Sequence, residues 1–108
     1  MERPLLVYTT FPDAETALAV GEELVRARLA ACVNVLPGMR SVYAWKGAVE
    51  RADEVVALIK SRETLAEPLA AALKVRHPYE TPIIHHLPVA GADPDTAAWI
   101  LRETTSAA

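Results

Sequence analysis

Ala31-Cys32-Val33-Asn34-Val35-Leu36-Pro37-Gly38-Met39-Arg40-Ser41-Val42-Tyr43-Ala44-Trp45-Lys46-Gly47, with the run Val49 to Lys60 that follows it, decides the fold. From Ala31 to Trp45 the residues favour extended backbone, and Pro37-Gly38 in the middle bends or bulges that strand without ending it. Lys46-Gly47 supplies a two-residue hairpin turn, with glycine free to take positive φ. The return strand closes on Val55-Val56-Ala57-Leu58-Ile59, continuous apolar sequence that suits burial on both faces. Strands this long far exceed the usual five or six or so residues. The hairpin tip must therefore overhang its domain, leaving strand edges and Trp45 uncovered unless a neighbouring subunit pairs with them.

Before the hairpin, Leu5-Leu6-Val7-Tyr8-Thr9-Thr10 reads as a buried strand closed by Pro12. Asp13 is a good N-cap for a helix running to about Ala30, with Ala17, Leu18, Gly21, Leu24, Val25 and Leu29 as its apolar face and Glu22–Arg26 as a supporting pair. After the hairpin, Ser61 to Arg76 reads as a second helix, with Thr64 and Glu67 as a capping box and Pro68 in the first turn. His77-Pro78-Tyr79-Glu80-Thr81-Pro82 makes a stiff corner, because each proline pushes the residue before it into extended backbone. A strand from Thr81 to Val89 follows. Asp93-Pro94 then opens a short helix ending near Glu103, anchored by Trp99 and Ile100.

The order βαββαβ plus a terminal helix predicts an α+β, ferredoxin-like domain: a four-stranded antiparallel sheet with two helices on one face. Those helices leave the other face open, yet the strands are apolar on both. An exposed apolar face of that kind marks an interface, so self-association is expected on this second ground.

The 108 residues suit one domain over 1–108, and 52% hydrophobic with 23% charged residues predicts a true core rather than disorder. A net charge of −3 with scattered Lys and Arg argues against a nucleic-acid partner. The apolar run after Met1-Glu2-Arg3-Pro4 is too short for a signal-peptide core or a membrane span, and Cys32 is the sole cysteine. The expectation is a soluble, cytoplasmic protein without a membrane partner.

Chemistry concentrates in the Pro-Tyr corner. His77, Tyr79 and Glu80 could form an acid/base group or part of a metal site; the ordinary alternative is a turn in which Tyr79 packs and Glu80 caps. His85 and His86, adjacent on a strand, point to opposite faces and cannot chelate one ion together. Cys32 sits in an apolar strand as a small hydrophobe, and Lys60 is a candidate ion-pair partner of Glu54 or Glu50. The sequence contains no zinc signature, phosphate loop or nucleophile elbow.

In combination, Ala31-Cys32-Val33-Asn34, Pro37-Gly38, Ser41-Val42-Tyr43, Trp45-Lys46-Gly47, Glu50, Glu54, Ile59-Lys60, His77-Pro78-Tyr79-Glu80-x-Pro82 and Leu87-Pro88-Val89 resemble the CutA divalent-cation tolerance family, from about Leu5 to Trp99. The resemblance implies a tight homotrimer similar to PII signalling proteins, with hairpins pairing between subunits, and tolerance to copper and other divalent cations rather than an enzyme reaction. It implies a cleft between subunits lined by Tyr43, Trp45, Lys60, His77, Tyr79 and Glu80, with His77 and Glu80 as metal ligands. Cu2+ or another divalent cation would bind there weakly, and no organic cofactor is implied. Part of the family has copper ligands where this chain has Thr9 and Arg76, and Ile83 stands in place of a glutamate.

Four functions follow as expectations. The first is the trimeric cation-binding protein just described. The second is a small-molecule sensor holding an anion against Lys60 and His77; the third, an enzyme with His77 or Glu80 as base and Tyr79 as acid; the fourth, a purely structural or signalling trimer.

Overall fold

The computed structural model describes residues 2–104, so Met1 and 105–108 of the expected domain lie outside the described residues. Four strands and three helices follow in the order β1 (Pro4–Phe11), α1 (Ala14–Arg26), β2 (Cys32–Trp45), β3 (Ala48–Arg62), α2 (Ala66–Arg76), β4 (His85–Pro88) and α3 (Pro94–Glu103). The sheet order is β2-β3-β1-β4 and every neighbouring pair is antiparallel. The ferredoxin-like α+β expectation is met.

The register sorts residues onto two faces. Leu5, Val7, Thr9 and Phe11 of β1, with Val55, Ala57 and Ile59 of β3, are buried under α1 and α2, where they meet Val20, Leu24, Leu69 and Leu73. Their neighbours point the other way. In successive rows that opposite face carries Cys32, Lys60, Leu6 and Leu87, then Asn34, Leu58, Tyr8 and His85, then Leu36, Val56 and Thr10. On this face Leu36 and Leu87 are exposed.

The hairpin behaves as its turn chemistry dictates. Lys46 and Gly47 both take positive φ (47° and 82°), the pairing of a type I′ turn. At Pro37-Gly38 the register slips, and Gly38 (φ 83°) absorbs the extra residue that a side chain would strain. The slip has a consequence for the site. Without it, the alternation of faces would carry Tyr43 and Trp45 to the side opposite Glu54; with it, Met39, Tyr43 and Trp45 share the face of Glu54 and Glu50. Beyond the bulge no helix lies below the ladder, and Val42 (66%) and Val49 (79%) are open to solvent.

Four expectations change. Helix α1 stops at Arg26, not Ala30: Arg28 turns left-handed (φ 62°), and the Arg28 and Leu29 amides bond back to Val25 and Leu24. Its buried stripe is Ala17, Val20, Gly21 and Leu24, leaving Leu18 (56%) outside, because a Cβ on Gly21 would lie 3.1 Å from Val33 and α1 settles on that contact. Residues 61–62 are strand and 63–65 a 3-10 turn, so the α-helix begins only at Ala66. Glu2 rather than a capping box receives the Thr64 amide at 2.7 Å. The last strand spans only His85–Pro88, for a reason given below. Asp93 caps α3 as expected and Ile100 anchors it, but Trp99 is 37% exposed.

Thr9 points into this core, fully buried, with no hydrogen-bond partner for its hydroxyl among the described residues. Thr9→Val should therefore raise stability by about 1 kcal/mol, since it removes an unpaired buried hydroxyl at nearly constant shape. Urea unfolding would check this; a lower midpoint with an unchanged slope would show that the hydroxyl is satisfied after all.

Candidate functional site

The Pro-Tyr corner begins where α2 ends. His77 is its C-cap, extended at φ −76° and ψ 137° as Pro78 requires, and its amide closes the helix on Leu73 at 2.9 Å. The side chain turns inward, only 8% exposed, and stacks on Phe11 with ring centroids 4.3 Å apart. Nε2 lies 2.7 Å from the Thr10 carbonyl, and Nδ1 accepts the Tyr79 amide at 3.1 Å. A carbonyl can only accept and an amide can only donate, so the ring is neutral with its proton on Nε2. Neither nitrogen keeps a lone pair for an ion in this conformation.

The same bond explains the short β4. Extending the pairing from Tyr8 with His85 would bring the strand toward Thr10, whose carbonyl His77 already occupies, and Pro82 has no N–H to give. Residues 81–84 consequently leave the ladder.

Held by its amide, Tyr79 reaches Glu54 on β3, donating its phenol at 2.6 Å. Burial, this bond to a carboxylate and the charge of Glu54 hold the phenol well above its ordinary value of 10.0, and Tyr43 adds to the effect from the overhanging hairpin. A phenol so placed is a poor general acid near neutrality. Glu80 points outward and pairs with Lys46 at 3.6 Å, while the Lys46 ammonium lies 5.4 Å from the ring centre of Trp45. Both groups of the ion pair are exposed, so it contributes little to stability.

Of the residues anticipated from the sequence, the fold brings His77, Tyr79, Glu80, Tyr43 and Trp45 alongside the hairpin, Tyr79 meeting its return strand at Glu54 and Glu80 meeting its turn at Lys46, which lies over Trp45. Lys60 is not among them: it pairs with Leu6, four residues and about 13 Å along β1 from Thr10. It makes no ion pair with Glu54 or Glu50 among the described residues, because those carboxylates lie further down the same strand. His85 sits on the open face, 6.3 Å from the Tyr8 ring, and His86 on the helix side, as their adjacency required. Arg76 pairs with Glu23 on α1 at 2.9 Å. The role of Glu54 as partner of Tyr79 was missed, and so was the use of the Thr10 carbonyl; only the bulge, which sets the face of Glu54, bears on the first. Among the described residues no three potential metal ligands cluster within the chain.

An antiparallel βαββαβ sheet with a buried imidazole organising a carboxylate-bearing corner defines a ferredoxin-like protein. The comparisons narrow that class. Residues 5–103 match the family described as CutA1 divalent ion tolerance protein. The chain is 43% identical to the divalent-cation tolerance protein CutA of Pectobacterium atrosepticum, over 92% of this chain and 94% of that one. It is 42% identical to that of Pyrococcus horikoshii, over 93% and 97%. The crystal structure of CutA1 from Ehrlichia chaffeensis superposes with a TM-score of 0.92 at 28% identity, covering 97% of this chain and 98% of that one. The chain belongs to the CutA divalent-cation tolerance family, which is named for tolerance and not for a reaction.

Burial holds His77 below its ordinary value of 6.5, against the opposite pull of the Thr10 carbonyl and the Glu54 carboxylate. The unfolded chain therefore takes up a proton that the fold resists. This contribution to stability is complete above pH 6.5 and is lost as the pH falls below it, toward the depressed folded value. His77→Gln should lower stability at pH 7.5 by about 1–3 kcal/mol and flatten the pH dependence just below 6.5. Denaturant unfolding across pH 5.0–7.5 would test it, and a variant with the wild-type slope would remove His77 as its source.

Proposed function

We propose that this chain works as a homotrimeric divalent-cation tolerance protein of the cytoplasm that binds Cu2+ or a similar ion weakly in clefts between subunits. The observation that carries the reading is the position of two carboxylates beside one hairpin, Glu54 on its return strand and Glu80 against its turn at Lys46, where Val42, Tyr43 and Val49 are exposed and the sheet has an open apolar face. A second subunit covering that face would bring further donors to the corner.

The donor chemistry fits a labile site. Carboxylate oxygens are hard ligands suited to weak, exchangeable binding of divalent ions, and the thiol of Cys32 is remote, sharing its row with Lys60 and Leu6. Glu80 is the available donor, since among the described residues its partner is an exposed lysine. His77, expected from the sequence as a ligand, enters instead as the group that holds Tyr79 and hence Glu54; to coordinate, it would have to surrender one of its hydrogen bonds. The small-molecule-sensor reading based on Lys60 and His77 is less well supported, because the two lie on separate parts of the sheet.

Isothermal titration with Cu2+ should give a Kd for Glu80→Gln about tenfold weaker than wild type, the loss of one charged ligand, and a smaller loss for His77→Gln, which acts only through the hold of Tyr79 on Glu54. Wild-type affinity in Glu80→Gln would remove that carboxylate from the site. Light scattering at micromolar concentration should return three times the chain mass of 11.7 kDa, and a monomer would sink the inter-subunit cleft.

A further inference from the structure

A surface groove of about 570 Å³ lies between α2 and residues 79–86, lined by Ala70, Lys74, Tyr79, Glu80, Thr81, Pro82, Ile84 and His86. Its volume falls within the range of small-molecule sites. His86 pairs with Val7, whose side chain is buried beneath the helices, so His86 also points to the helix side. That end of the groove therefore lies on the helix side with Ala70 and Lys74 of α2, whereas Tyr79 reaches Glu54 on the opposite face.

The charges lining it are not balanced. Glu80, the single carboxylate, is offset by Lys46 at 3.6 Å. Lys74, Thr81 and His86 are exposed, and their side chains make no hydrogen bond or ion pair among the described residues. One turn before Lys74 stands Ala70, so no acid on α2 at the usual spacing neutralises the ammonium. What remains is an ammonium, an imidazole and a hydroxyl, all able to donate, beside the apolar surfaces of Pro82, Ile84 and the Tyr79 ring.

We propose that this groove binds a small organic anion, a carboxylate or phosphate monoester carrying a compact apolar body. The anionic head meets Lys74, His86 and Thr81, and the apolar part lies on Pro82 and Ile84. Lys74 provides charge, whereas His86 and Thr81 provide direction. In a chain of net charge −3, an unneutralised Lys74 flanked by two further donors is a local feature rather than part of a general basic surface. The site goes beyond the cation cleft: it shares Tyr79 and Glu80 with that corner, but its anion-recognising groups take no part there.

The test is an amide chemical-shift titration of the full-length assembled protein with phenyl phosphate, benzoate and inorganic phosphate. Saturable shifts are expected at Ala70, Lys74, Thr81, Ile84 and His86 with at least one organic probe, and the tighter of the two identifies the head group. Lys74→Gln and His86→Gln, both surface changes that leave the core intact, should each weaken that binding about tenfold while leaving Cu2+ affinity unchanged. The proposal is overturned if neither organic probe shifts these amides saturably, if both variants bind like wild type, or if inorganic phosphate binds as tightly as phenyl phosphate. A failure of copper binding in every variant would instead count against the cation cleft alone.

Discussion

The bridge made by the His77 imidazole, from the Thr10 carbonyl to the Tyr79 amide, is the constraint on which the rest of the site depends. It takes the last useful acceptor of β1 and so stops β4 from pairing further. It fixes the backbone of Tyr79, whose phenol then holds Glu54 in a defined direction. Phe11, at the end of β1, supplies the flat apolar surface against which the ring stacks. Because an imidazolium would set a second N–H against the Tyr79 amide, the same geometry and the burial of the ring both favour the neutral form. One side chain thus ends a strand, sets an adjacent turn and keeps its own charge state.

The second constraint is parity along the hairpin. A strand alternates faces at every residue, so one unmatched residue reverses everything beyond it. The bulge at Pro37-Gly38 brings Tyr43 and Trp45 onto the face of Glu54, and the corner can then approach them. Past the bulge the ladder has no helix beneath it. Its apolar side chains are buried by nothing in the same chain, which is why a purely monomeric account leaves Val42 and Val49 unexplained.

Much of this was legible in the sequence, since turn and strand chemistry are local. Lys46-Gly47, Pro37-Gly38, the Asp13 and Asp93 caps and the βαββαβ order all follow from residues that act on their own backbone. What the sequence withheld depends on contacts between distant segments. Glu2 caps the turn at Thr64 from the far end of the chain, and a left-handed Arg28 ends α1 without the glycine that usually marks such a stop. For the site, the corner and its residue types were readable, but the direction of His77 was not. Whether an imidazole faces solvent with a free lone pair or turns inward onto a carbonyl is settled by Phe11 and Thr10, more than sixty residues away in sequence.

That inward turn also bears on how strongly an ion could be held. An outward His77 would have offered nitrogen to copper, a favoured ligand type, alongside Glu80. With the ring committed to the fold, the corner is left with oxygen donors, one engaged by Tyr79 and one by Lys46. Each must be released before it can serve, and each release costs part of what coordination returns. On the proposed reading, a site assembled this way would favour rapid exchange over tight storage, and its occupancy would depend on donors brought by another subunit.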